Sequence, residues 1–423
     1  MNLGPLIIAA MGALALGAPI FLAMLAPTIL SFEAFMPRIP SLVIPQKMVD
    51  GINTFSLLAV PLFIFAADII ARGAIGERLV RMVESYCGHL RAGLAIAVIL
   101  ACTIFGAMSG IGPAAIVSIG PIVYPALLRQ GYSKGFSVGL IVSASTLSML
   151  IPPGVSMILY ALTTNASVGK VFMAGLGSGI VFAVMLCVHS YVYAMVRGIA
   201  TAPRAGWRER WLRTREALFA LGMPVTIIGG IYGGIATPTE AAAFACVYAI
   251  IVEWFVYRTL TLRLLFEIAK KSAGTTSILL ILVAAGTVLG YLMTIAQVPQ
   301  QISALLGNYS AVELLLMINI LFLLAGMVVD PNSLVIVLVP LIFPATQAVG
   351  IDAVHFGAVT IANLAIGMLS PPFGINLFIG IATFRLPYFD VVKAILPFIA
   401  LMLALLALVT YVPAIAMFFP SFM

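Results

Sequence analysis

Charge is scarce in this sequence, which has 14 acidic residues and 21 Lys plus Arg among 423 residues. Charged residues make up 8% of the chain, against about 25% in soluble globular domains. This shortage excludes a soluble protein, and with it a disordered chain and a charge-patterned coiled coil.

Cysteine and histidine are equally sparse. The four cysteines stand alone, without a CxxC pair, and we interpret them as small buried hydrophobic residues. The three histidines are scattered, so no zinc site is indicated. We also expect no organic cofactor. The sequence also has no GxSxG or HExxH motif and no close pair of acids within an apolar run, which disfavours an intramembrane enzyme.

Long apolar runs dominate what is present. Hydrophobic residues form 63% of the chain, and the mean hydropathy is +1.20. Runs such as Pro5 to Leu30, Val171 to Val196 and Leu396 to Phe419 match the roughly 20 helical residues that cross a bilayer. The pattern predicts an all-α polytopic membrane protein. Because no basic residue precedes Arg38, we expect the first run to be a retained span and not a cleaved signal.

The runs and their interruptions divide the chain into segments. We predict re-entrant helical hairpins at Leu94 to Leu128 and Leu314 to Gln347, and proline-broken spans at Phe136 to Leu162 and Phe356 to Thr383. The predicted first half has scaffold helices at 1–71, an interfacial arm helix at 72–93 and a first repeat at 94–162. Scaffold helices at 163–257, with a basic loop at 197–216, and a second arm helix at 258–274 follow. The second repeat is predicted at 275–394, with its hairpin at 314–347 and its broken helix at 351–384, and a last span at 395–423.

Positive charge gives the orientation. The basic residues fall in short connections between spans, which argues against a nucleic-acid partner. On this threading 18 of the 21 lie on one side, and Arg38, Lys47 and Lys170 lie on the other. By the positive-inside rule the rich side is cytoplasmic, so we expect an external C-terminus.

An internal repeat relates the two halves. At a spacing of 219 residues, matching residues recur in pairs: Pro121 and Pro340, Pro125 and Pro344, Gly131 and Gly350, Met149 and Met368, Pro152 and Pro371, Pro153 and Pro372. In the threading Gly131 is cytoplasmic and Gly350 external, so the two copies have inverted topology. Inverted repeats with interrupted hydrophobic segments are typical of secondary transporters and indicate their binding sites.

Both broken spans contain a proline pair, at Ile151 to Gly154 and at Ser370 to Gly374. Prolines free carbonyl groups of the preceding turn, and in a membrane these must be paired or line a polar cavity. Carbonyl, hydroxyl and amide oxygens can hold Na⁺. The alternative is a plain proline kink, which the repetition of the pair disfavours. The Na⁺ candidates at the breaks are Ser145, Thr146, Pro152, Asn363, Gly367 and Pro371.

The hairpin tips, Gly106 to Pro113 and Val328 to Ser333, form the second candidate element. Each second arm would present a helix N-terminus whose free amides suit a carboxylate. A hydrated loop between two full spans is the alternative for the first tip. Asp330 could cap the following helix or contact a cation or substrate. The tips add the Na⁺ candidates Ser109, Gly110, Asn332 and Ser333, and the substrate candidates are Ser109, Gly112, Pro153, Asp330, Pro372 and Asn376.

Taken together, these motifs resemble the large membrane subunit of tripartite ATP-independent periplasmic (TRAP) transporters. The resemblance rests on FSLLAVPLFIFA at Phe55, the IPPG break, GIATPTEA at Gly234 and SPPFG at Ser370. It implies an elevator-type, Na⁺-coupled importer in the bacterial inner membrane. It also implies two partners, a small four-helix membrane subunit, expected here as a separate chain, and a periplasmic substrate-binding protein. The first tip reads MSGIGPAA where the family has a GSGS-like sequence, and Gly154 replaces a common serine.

The leading hypothesis is therefore a translocation subunit that moves a small organic anion inward with Na⁺. A self-sufficient Na⁺- or H⁺-coupled carboxylate carrier of related fold is the rival within transport. A channel fits less well, because two proline-broken repeats favour alternating access.

Overall fold

A computed structural model describes residues 4–36, 39–306 and 309–423. All regular structure in these ranges is helical. Within them, eight helical segments of 18 to 34 residues are long and apolar enough to cross a bilayer. The chain is a multi-pass membrane protein, as its composition predicts. Arg38, expected on the external side, lies outside the described residues.

The first element differs from the predicted single span. The run from Pro5 to Leu30 forms two helices that pack against each other, because Gly17 adopts a left-handed φ of 80° and Pro19 cannot continue the hydrogen-bond ladder. The opening helices are α1 (Gly4–Ala15), α2 (Ile20–Phe35), α3 (Val43–Ile52), α4 (Ala59–Arg72) and α5 (Ile75–Cys87). Helix α5 lies in the segment predicted as the first arm, and it packs mainly against the helices Gly93–Ser109 and Trp207–Tyr232.

The first repeat forms the predicted hairpin and broken span. Its helices are α6 (Gly93–Ser109), α7 (Gly112–Arg129), α8 (Lys134–Ala144), α9 (Leu147–Leu150) and α10 (Val155–Thr164). The tip is shorter than expected, since α6 continues to Ser109 and only two residues separate the arms. A Cβ at Gly110 would lie 1.9 Å from the Pro153 carbonyl oxygen. The hairpin tip therefore contacts the break in the neighbouring span, which is the arrangement expected of a re-entrant hairpin.

Two predicted boundaries in the middle of the chain are wrong. The helices are α11 (Val168–Arg197), α12 (Trp207–Tyr232), α13 (Pro238–Ile251) and α14 (Leu262–Ile295). Helix α12 begins inside the predicted loop at 197–216, where Arg213 and Glu216 form an ion pair one turn apart. The predicted arm at 258–274 is not separate, because α14 runs for 34 residues without a proline. Gly274 alone does not end a helix.

The second repeat has its own hairpin and broken span. Its helices are α15 (Val298–Leu306), α16 (Ala311–Gly326), α17 (Pro331–Ala348), α18 (Ala353–Gly367) and α19 (Ile375–Phe384). The last span, α20 (Tyr388–Tyr411), and the short α21 (Pro413–Met417) follow the repeat. The last span begins at Tyr388 instead of the predicted 395, and it ends just before Pro413, which cannot continue it.

The structure reproduces the repeat seen in the sequence. Helices α7 and α17 begin 219 residues apart, and so do α8 and α18. The connections preceding the broken spans both turn at a left-handed glycine, Gly131 with φ 96° and Gly350 with φ 78°. The fold therefore contains two equivalent hairpin and broken-span units.

The connections that were assigned to one side of the membrane contact each other. Gln130 Nε2 donates to the Ala200 carbonyl (3.1 Å), and the Ala202 amide donates to the Gly88 carbonyl (3.2 Å). Helix α11, which the sequence analysis places among the scaffold helices, packs against α6, α10 and α18 of the two repeats.

Candidate functional site

The two hairpin tips and the two span breaks meet around one cavity of about 160 Å³, here called the central cavity. Four helices begin at its wall, and each contributes a residue of its first turn. These residues are Gly112 of α7, Ser156 of α10, Asn332 of α17 and Ile375 of α19. The opposite wall comes from Ile64 of α4 and from α14. The site is thus built mainly by the two repeats and is closed by α4 and α14.

The electrostatics of the central cavity come from helix N-termini and from one carboxylate, that of Asp330. Each helix N-terminus carries about half a positive charge on its free amides. Four such ends converge here, and Asp330 caps the one that belongs to α17, whereas no Lys or Arg lines the cavity among the described residues. The volume lies below the roughly 300 Å³ at which typical ligand pockets begin. The arrangement suits a small anion held by main-chain amides.

Asp330 is the one charged side chain at the central cavity among the described residues. Its carboxylate caps α17 by accepting from the Ser333 amide (3.1 Å), and it also hydrogen-bonds the Ser333 hydroxyl. Capping, one of the two roles the sequence left open, is therefore observed. Ser156 of the first repeat donates to Asn332 Oδ1 (2.8 Å), which ties the second tip to the first broken span.

A first group of oxygen atoms lies where the first break meets the second repeat. Asn376 Nδ2 donates to Ser145 Oγ (2.9 Å), and the Ser145 hydroxyl donates to the Val142 carbonyl (2.7 Å). A Cβ at Gly112 would lie 2.9 Å from Asn376 Nδ2, so the first tip touches the same point. Asn376 Oδ1 is buried without a hydrogen-bond partner in the described chain. A desolvated cation would satisfy it.

A second group surrounds Asn363 of α18. Its Nδ2 donates both protons, to Asn319 Oδ1 (2.8 Å) and to the Val359 carbonyl (2.9 Å). Asn319 in turn donates to Thr410 Oγ1 (3.0 Å). These hydrogen bonds leave Asn363 Oδ1 buried without a partner in the described residues. Thr360 Oγ1, three residues away on the same helix face, is buried without a partner too. The two oxygens offer a neutral ligand pair for a cation.

The second tip also packs against the second break. A Cβ at Gly367 would lie 2.9 Å from Gly326 Cα, so the helix ends touch through glycine. The Phe373 amide donates to the Met327 carbonyl (3.1 Å). Both tips are thus fixed to the unwound segments, and the contact brings the C-termini of α16 and α18 together, where partial negative charge favours a cation.

The remaining candidates lie near these groups but differ in what they can offer. Ser109 is fully buried at the end of α6, and Thr146 donates its hydroxyl back to the Ser143 carbonyl (2.7 Å). Pro152 is buried, Pro371 is half-buried and Pro372 is exposed. Of the substrate candidates, Gly112 and Asp330 line the central cavity. The other four do not: Ser109, Pro153, Pro372 and Asn376.

No cluster of three or more His, Cys, Asp or Glu side chains occurs in the described ranges. The unpartnered amide and hydroxyl oxygens of Asn376, Asn363 and Thr360 are neutral ligands that a cation could use. Three residues of the site were not among the candidates predicted from the sequence: Asn319, Ser156 and Thr360. A lone amide in the apolar run ELLLMINILFLLAG was the available signal for Asn319.

A larger cavity of about 620 Å³, here called the outer cavity, lies one helical turn beyond the central cavity. Three helices line both spaces with residues three or four positions apart: Ser156 and Leu159 on α10, Leu279 and Val283 on α14, and Asn332 and Ile336 on α17. The outer cavity is bordered by Thr54 and Asn165, in connections expected on the external side.

Comparisons with known proteins agree with this architecture. The family described as "Tripartite ATP-independent periplasmic transporter, DctM component" matches residues 7–415. The ectoine TRAP transporter large permease protein TeaC of Halomonas elongata is 40% identical over 410 residues, covering 96% of both chains. The C4-dicarboxylate TRAP transporter large permease protein DctM of Rhodobacter capsulatus is 36% identical, covering 93% of both. The YdaH transporter of Alcanivorax borkumensis has a similar fold, with a TM-score of 0.63 at 14% identity over 86% of each chain.

Proposed function

This chain belongs to the DctM-component family of tripartite ATP-independent periplasmic transporters, and from that membership we propose that it imports a small organic anion together with Na⁺. It is a transport protein and not an enzyme, and it forms the large membrane subunit of its system. The substrate class, the coupling ion and the mode of movement are the proposed parts.

Three helix N-termini without a side-chain cap, those of α7, α10 and α19, carry the anion proposal, because they converge on a cavity that no described basic side chain lines. Asp330 occupies the fourth N-terminus, that of α17. Main-chain amides hold a carboxylate without the strong, lasting attraction of a lysine or arginine, so the anion can leave again. The names of two relatives, one for ectoine and one for C4-dicarboxylates, support small organic solutes of this size.

Na⁺ coupling is supported by the buried oxygens without partners. Asn376 Oδ1 and Asn363 Oδ1 occur near the two breaks, one in each group. A buried amide oxygen without a partner costs about 1–3 kcal/mol, which binding of a cation would offset. Na⁺ near the helix N-termini would also add positive charge beside the anion, so the two solutes favour each other's binding.

The proposed assembly includes a small four-helix membrane subunit as a separate chain and a periplasmic substrate-binding protein. The family description names a tripartite periplasmic system, which supports both partners. We place the complex in the bacterial inner membrane with the C-terminus of this chain in the periplasm, since the basic connections then face the cytoplasm.

The proposed movement is an elevator in which the hairpins and broken spans travel as one body. The tips are fixed to the breaks by Gly110, Gly326 and Gly367, so the tips cannot open independently of the broken spans without losing these contacts. We place α11 in the moving body because it packs against both repeats. The outer cavity would then be the access path from the periplasmic side.

Uptake into proteoliposomes tests the proposal. The full chain with its small subunit is reconstituted, and a radiolabelled C4-dicarboxylate or ectoine is supplied with its binding protein. We expect accumulation driven by an inward Na⁺ gradient and lost when choline replaces Na⁺. Accumulation that is unchanged in choline would refute the coupling ion. Uptake at the same rate without any binding protein would instead support the self-sufficient carrier.

A further inference from the structure

A groove of about 480 Å³ lies on the opposite face from the outer cavity, at the ends of α8, α11 and α20. Here α8 and α20 begin and α11 ends, all in connections expected on the cytoplasmic side. We call it the terminal groove. Since three spans end around it, it lies at the depth of the membrane interface, where lipid headgroups are found.

The rim of the terminal groove is basic. Lys134, Arg197 and Lys393 come from three different helices, and Asp390 is the one acidic residue that lines it among those described. None of these four side chains forms an ion pair in the described chain, although six other ion pairs occur there. Arg197 lies over the Tyr193 ring at 5.9 Å. The groove thus gathers three unneutralised cations against one carboxylate.

The floor of the terminal groove is apolar and rigid. The Phe136 and Tyr193 rings stack at 3.8 Å, and Phe398 packs on Phe136 at 5.8 Å. Below them α8 and α20 touch closely, since a Cβ at Gly139 would lie 2.2 Å from the Ala394 carbonyl oxygen. A ligand for this groove therefore needs an anionic end for the rim and an apolar portion for the floor.

We propose that the terminal groove binds the headgroup of an anionic phospholipid from the cytoplasmic leaflet. Basic pockets between transmembrane helices on this side suit a lipid phosphate. The N-terminus of α8, where Ser133 accepts from the Phe136 amide, adds positive potential to that of the side chains. The apolar floor and the exposed apolar residues Val192 and Leu396 on the flanking helices provide a surface for acyl chains, which a free phosphate would not use.

The test is a lipid titration of the full chain, purified and stripped of lipid, followed by native mass spectrometry. Phosphatidylglycerol is the probe and phosphatidylethanolamine the zwitterionic reference. We expect the first phosphatidylglycerol to bind more tightly than the reference. A lysine near an anionic surface raises the binding affinity about fivefold. The double variant Lys134→Gln with Lys393→Gln should therefore weaken phosphatidylglycerol binding about 30-fold. Lys134→Arg with Lys393→Arg should retain it.

The matched control removes two other exposed cytoplasmic cations, Arg204→Gln with Lys270→Gln, and should bind like the unmodified protein. Equal affinity of the unmodified protein for the two lipids would overturn the proposal without any variant. Equal loss in the groove and control variants would also overturn it, because general surface charge would then explain the binding. Displacement by millimolar glycerol phosphate would assign the groove to a soluble phosphate and not to a lipid.

Discussion

Replacement of Asn363 by alanine tests the Na⁺ site most directly. The change removes the buried Oδ1 that has no partner, together with the bonds from Nδ2 to Asn319 and to the Val359 carbonyl. Asn319 Oδ1 then loses its donor. Leaving one buried acceptor unsatisfied costs about 1–3 kcal/mol of stability, so we expect a folded but less stable protein.

The specific effect is on Na⁺. Binding stabilises the folded state by about 2.7 kcal/mol when Na⁺ is at 100 times its dissociation constant, and by about 1.4 kcal/mol at ten times. Loss of an oxygen ligand should weaken binding at least about tenfold, by analogy with losses at metal sites. Thermal unfolding in NaCl and in choline chloride at equal ionic strength measures this difference. The same variant should need about ten times more Na⁺ for half-maximal uptake.

Asn319→Ala is the matched control, because it breaks the same hydrogen bond but retains Asn363 Oδ1. In choline the two variants should lose similar stability. Addition of Na⁺ should stabilise Asn319→Ala more than Asn363→Ala. If Asn363→Ala keeps the Na⁺ dependence of the unmodified protein in both assays, Asn363 is not a ligand and the reasoning from its unpartnered oxygen fails.

Three further predictions concern the first repeat and the tips. Ser145→Ala should raise the Na⁺ concentration for half-maximal uptake while the protein still folds, because it removes the hydroxyl that accepts from Asn376. Gly112→Ala should lower uptake about fivefold or more, because the added methyl group would crowd Asn376 and overpacking costs about 1–3 kcal/mol. Gly274→Ala is the control, since its methyl group would enter open space and should leave uptake unchanged in the same flux assay. Single cysteines introduced at Ile111 and Val328, one at each tip, should both become less accessible to an impermeant thiol reagent from the cytoplasm when the carrier is held outward-facing. A change in accessibility at one tip alone would contradict the elevator movement.

The sequence predicts the breaks and hairpins well because proline has a local effect that tertiary packing rarely reverses. The pairs at Pro152 and Pro371 interrupt helices wherever they occur in a span. Their spacing of 219 residues also reveals the repeat without any structural information. The capping box of α13, between Thr237 and Glu240, is equally local, since its hydrogen bonds connect residues three apart.

Features that depend on distant contacts were not predictable in this way. Hydropathy predicted one span from Pro5 to Leu30, because a turn of Gly and Pro between two apolar helices leaves the mean hydropathy of the run almost unchanged. The sequence predicted a separate arm at 258–274, but Lys271 pairs with Asp68 of α4 (2.6 Å) while α14 continues past it. The role of Asn319 required the fold, since its partners lie 44 and 91 residues away.

The contacts across the repeats make the two halves of the chain interdependent. Asn376 of the second copy reaches Ser145 of the first, and Ser156 of the first copy reaches Asn332 of the second. Neither copy encloses the central cavity alone. Corresponding positions in the two halves are therefore not interchangeable, as the amide of Asn363 in the second copy and Ala144 in the first illustrate.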